Sequence, residues 1–99
     1  MEIIAYFKGH VEYIEITEKH VYVRVDYWEF SEGFAVYDFK PHWHPGMRSK
    51  KAIANRKDDG NEKWFIEFEN AVRQLHIGDT VILKMKGIHS IYHIEKLSE

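Results

Sequence analysis

Hydrophobic and polar positions alternate with a period of two over most of this chain, the pattern of half-buried strands. The clearest run is residues 20–30. Val21, Val23 and Val25 point one way, and Tyr22, Arg24, Asp26 and Trp28 point the other. Residues 3–17 alternate too, with Gly9 in the middle, where an interior glycine predicts a bulge or a sharp bend. Glu18-Lys19 and Ser31-Glu32-Gly33 read as turns, and residues 34–39 as a third strand. Residues 63–68 read as a strand with Trp64, Ile66 and Phe68 on one face. The period then changes: Phe68, Val72 and Leu75 fall at i, i+4 and i+7, which predicts a short helix over 69–76 that Gly78 ends. Strands over 80–86 and 88–96 follow, on either side of Gly87.

Residues 41–62 break the alternation. They hold both prolines and finish in the turn signal Asp58-Asp59-Gly60-Asn61. They are predicted to form a long loop, with at most one or two helical turns around Ala52-Ile53-Ala54. Six strands of this length each cover one side of a core, and a small open sheet exposes its edges. The expected fold is therefore mostly β: a small closed or partly open β-barrel, one domain over residues 1–99, with one short helix near 69–76 and a long loop at 41–62.

Composition strengthens the β assignment. Eleven Ile and seven Val stand against three Leu, and β-branched side chains suit a pleated sheet. The 99 residues suffice for one core, 44% being hydrophobic and 15% aromatic. No apolar run approaches the roughly 18 residues of a spanning helix. The first residues lack a basic stretch followed by a long apolar one, so no signal peptide, no membrane association and a cytoplasmic location are expected. The absence of Cys excludes disulfides, thiolate metal sites and thiol nucleophiles.

A net charge of −2 names no partner, but its distribution is uneven. Residues 40–57 contain Lys40, Arg48, Lys50, Lys51, Arg56 and Lys57 and no acid, whereas residues 1–39 hold three bases and eight acids. The predicted loop is thus the one concentrated source of positive potential.

Two stretches resemble OB-fold domains, and more narrowly those that bind single-stranded nucleic acid. Residues 9–16 followed by 20–25 are similar to the bent first strand and the second strand of such barrels. Residues 64–87, with Gly78-Asp79 before Thr80, are similar to their strand, short helix, Gly-Asp turn and fourth strand. Together they cover roughly two thirds of the chain, and residues 31–62 depart from the pattern by an additional strand and the basic loop. The resemblance implies binding on the face of strands 2 and 3 and the flanking loops.

The residues themselves suit that chemistry, because single strands are held by aromatic platforms and by cations that track phosphates. Tyr22, Arg24 and Trp28 lie opposite the valine face; Tyr37 leads to Lys40 and Trp43; Phe65 lies opposite the face of Trp64, Ile66 and Phe68. With Arg48, Lys50, Lys51, Arg56 and Lys57 they form the expected nucleic-acid site. The expected function is non-enzymatic binding of single-stranded DNA or RNA, with little sequence preference and a steep salt dependence. The competing reading is a protein-interaction barrel whose exposed aromatics join a homodimer or a partner. His42 and His44 have metal-ligand spacing on an extended segment but no local third ligand. A nuclease built from them with Asp58 and Asp59 is singled out by no spacing. No cofactor and no metal are therefore expected.

Overall fold

Val21, Val23 and Val25 are completely buried, and the sheet is organised around them. A computed structural model describes residues 4–32, 35–38, 48–57, 62–86 and 90–97. Six strands and one helix occur among them: β1 (Ile4–Ile16), β2 (His20–Glu32), β3 (Ala35–Asp38), β4 (Ser49–Asn55), α1 (Lys63–Arg73), β5 (Thr80–Lys86) and β6 (Ile91–Lys96). Every pairing is antiparallel. The sheet runs β3-β2-β1-β5-β6, and β4 pairs with β2 on the same side as β3. β3 takes residues 29–32 of β2, and β4 takes residues 20–26. The sheet is therefore five strands wide.

The mostly-β expectation holds, and closure into a barrel does not. Among the described residues no ladder joins β4 to β6. A small sheet that must cover its core alone gains by closing on itself. Here α1 covers it, with Phe65, Phe68 and Val72 buried against the sheet and Leu75 buried just beyond the helix end. Phe68 meets Tyr92 of β6 at 5.9 Å between ring centroids.

The helix also begins earlier than the period predicts. Residues 63–68 are its first turns rather than a strand. The inward stripe is Phe65, Phe68, Val72 and Leu75, a helical spacing, whereas Ile66 is 42% exposed. Phe68 belongs to both the alternating and the helical pattern, which is why the segment reads either way. The backbone carbonyl of Glu62 accepts the first helical N–H groups, from Phe65 and Ile66.

Part of the predicted loop is a strand. In β4, Ala52 and Ala54 point into the core while Lys51, Ile53 and Asn55 are exposed. The inward residues are small, so the alternation carries little hydrophobic contrast, and the apolar Ile53 on the outer side inverts it. Lys40, Trp43, His42, His44, Asp58 and Asp59 lie outside the described residues. No helix among the described residues is long and apolar enough to cross a membrane.

Two irregularities shape β1. Its register with β2 shifts between Lys8 and Gly9 and again between Val11 and Tyr13. At the first, Trp28 is the extra residue of β2, between Tyr27 opposite Gly9 and Glu29 opposite Lys8. At the second, Glu12 is the extra residue of β1. The turn into β2 is tied by the Thr17 hydroxyl, which accepts the N–H groups of Lys19 and His20 at 3.1 Å each.

Candidate nucleic-acid interface

The face of β1, β2 and β4 turned away from α1 collects the aromatic residues that the core does not use. Alternation along β2 sends Tyr22 and Arg24 there, between the buried valines. Cross-strand pairing sets Arg24 between Tyr13 of β1 and Lys51 of β4, and sets Ile53 beside Tyr22. Tyr13 is 40% exposed and Ile53 46% exposed. The Tyr13 and Tyr22 rings meet edge to face at 5.5 Å. Trp28, half-buried at its bulge, faces the His10 ring at 4.6 Å. Its indole is no part of the interior, which contains Phe7, Tyr27 and Phe30 at that level of the sheet.

Polar groups on this face are already matched to one another. The Arg24 Nε donates to Glu12 at 3.0 Å, and the Ser49 hydroxyl donates to the same carboxylate oxygen at 2.9 Å. The guanidinium lies 5.5 Å from the Tyr13 ring centroid. Glu12 is the first cause that raises the arginine above its ordinary value, and Tyr22 adds to it. The Tyr13 hydroxyl donates to Glu15 at 2.7 Å, and the His20 Nε2 lies 2.7 Å from the other Glu15 oxygen. Glu15 is held below the ordinary carboxylate value by Tyr13 first and then by His20, and the Tyr13 phenol is pushed up by Glu15.

Of the residues expected in the site, Tyr22, Arg24, Trp28 and Lys51 come together here. The others described do not join them. Phe65 is 3% exposed in the core, because the segment is helical, and it has no open face on which a base can stack. Lys50 lies on the inner side of β4 opposite Val25, with its ammonium 5.4 Å from the Phe7 ring centroid. Arg56 donates from both terminal nitrogens to Glu69, at 3.0 and 2.8 Å, and covers the Phe65 ring at 5.0 Å. Lys57 pairs with Glu62 at 3.2 Å. Arg48 is half-buried, and its carbonyl accepts the N–H of Tyr27 at 3.0 Å. Tyr37 falls in β3, of which only the backbone is described. The basic segment is therefore spread over both faces of the sheet.

Sequence reasoning missed Tyr13, Glu12, Ser49 and Ile53. The Val11-Glu12-Tyr13-Ile14 run held the one available signal: two residues between inward Val11 and inward Ile14 require a bulge. Ser49 and Ile53 become visible only once β4 is known to be a strand beside β2.

The Arg56 site has a structural consequence. Glu69 also accepts from Arg73 at 2.8 Å, and its side chain is 14% exposed. Arg56 holds its carboxyl below the ordinary value of 4.5, against the opposing effect of burial, with Arg73 helping. A depressed carboxylate adds stability that is complete above its unfolded value and is lost as pH falls through its folded one. Glu69→Gln is expected to lower stability by about 1–2 kcal/mol at pH 7. It should also flatten the acid side of the stability profile below about pH 4.5. Urea titrations of both proteins between pH 3 and 7 measure this, and parallel profiles would refute it.

No protein-family model, curated protein or solved structure matches this chain.

Proposed function

We propose that this chain is a non-enzymatic module that binds single-stranded DNA or RNA on the face of β1, β2 and β4 opposite α1. The observation behind this reading is the continuous group Tyr13, Tyr22, Arg24 and Lys51, with Trp28 and His10 along the same strands, outside the core. Aromatic side chains left on the outer side of a sheet offer stacking platforms, each worth about 1–3 kcal/mol per base. The OB-fold reading supports the same face. It draws on the bent β1 shared by β2 and β5, the helix between β4 and β5, and the Gly78-Asp79 turn that leads into β5. OB-folds include partly open barrels, and β3 is the additional strand on this reading.

Stacking outweighs phosphate attraction in this arrangement. Arg24 is offset by Glu12, while Lys50, Arg56 and Lys57 are directed elsewhere. Neutralising one or two phosphates gives a log–log salt slope of about −0.7 to −1.4, against about −4 for six loop cations. Anisotropy of a labelled dT oligonucleotide, titrated between 50 and 300 mM salt (about a sixfold range), should show binding with a slope shallower than about −2. No binding at the lowest salt overturns the proposal.

A protein partner is the second reading, favoured by the exposed Ile53 and Tyr13 at the centre of the face. It predicts self-association or partner capture that Ile53→Lys abolishes, with no response to oligonucleotides.

A further inference from the structure

Arg24 is supported from three strands. Its Nε is fixed by Glu12 of β1, Glu12 is fixed in turn by Ser49 of β4, and the guanidinium rests over Tyr13, whose ring meets Tyr22 of β2. Two consequences follow for any ligand on this face. A phosphate approaching Arg24 also meets the Glu12 carboxylate, so the pair is a poor phosphate clamp. A planar donor group that is already oriented, in contrast, loses little freedom on meeting two acceptors set side by side.

Guanine presents that pattern, with N7 and O6 as adjacent acceptors on one edge. Adenine sets a donor beside its acceptor, and thymine has no such pair on that edge. Cytosine offers adjacent acceptors on its pairing edge when single-stranded. A purine, however, covers more of the aromatic group formed by Tyr13 and Tyr22. We propose that Arg24 reads guanine, through N7 and O6, at one position of a bound single strand. The inference rests on the proposed nucleic-acid function and gives it a base preference at a single subsite.

The test uses the intact chain and labelled dT octamers carrying one central dG, dA, dC or 7-deaza-dG. The dG strand is expected to bind about tenfold more tightly than the dA and dC strands. Replacing N7 by carbon in 7-deaza-dG should remove most of that gain, with the protein unchanged. Arg24→Lys, which keeps the charge but not the planar fork, should bind all four strands alike. Equal affinity of the native protein for dG and dC, or for dG and 7-deaza-dG, overturns the guanine assignment and leaves the stacking face standing. Failure of every strand to bind overturns the stacking face itself.

Discussion

Replacing Gly9 with alanine is expected to destabilise the protein by about 2–4 kcal/mol, the cost of forcing atoms into a packed site. A Cβ at this position would lie 2.0 Å from the Asp26 carbonyl oxygen and 2.5 Å from the Tyr27 Cα. Both are backbone atoms of β2, so no side-chain rotation relieves the overlap. The strands must part where Gly9 faces Tyr27, next to the register shift that turns Trp28 outward. The damage should therefore reach the outer face as well as the core, since His10 and Trp28 flank the same point. Urea unfolding followed by far-UV circular dichroism measures the loss. A change below about 0.5 kcal/mol, the usual range for harmless surface substitutions, would mean that β1 and β2 are not this close.

Phe68→Ala should cost more, about 3–5 kcal/mol. Phe68 is 1% exposed and stands where α1, β6 and the valine face of β2 converge. Its truncation leaves a cavity that the sheet cannot fill, because the core residues Val21, Val23 and Leu83 are held in their ladders. A loss of this size approaches the total stability of many small domains, so the variant should be unfolded or nearly so at 37 °C. Two companions separate the helix from the alternative strand. Phe65→Ala should cost a similar amount, and Ile66→Ala no more than about 0.5 kcal/mol. A strand over 63–68 would reverse that order, because Ile66 would then share the buried side with Phe68.

Much of the sheet was legible in the chain because its large residues point inward. Val21, Val23 and Val25 announce β2, and Val81 and Leu83 announce β5, since β-branched and aliphatic contrast with polar neighbours is strong there. β4 was hidden because its inward residues are the small Ala52 and Ala54, while Ile53 faces out. The helix was only half legible, because Phe68 satisfies both periods and no capping side chain marks its start. The candidate site followed the same division. Tyr22, Arg24 and Trp28 were readable from β2 alone. Tyr13 was displaced by a bulge, and the fate of the basic residues depended on ion partners distant in sequence, such as Glu69 for Arg56. Charge clustered along a chain becomes a charged surface only when its residues share a face. Here strand alternation and the α1 carboxylates divide them.

The most direct test of the proposed face is a map of backbone amide shifts in a ¹⁵N-labelled sample titrated with a dT octamer containing one dG. The stacking account predicts that the perturbed amides cluster at residues 10–13, 22–28 and 49–53, with the Trp28 indole N–H among the largest changes, while α1 and residues 56–57 stay still. Shifts centred on α1 and Arg56, with β2 unperturbed, would contradict it.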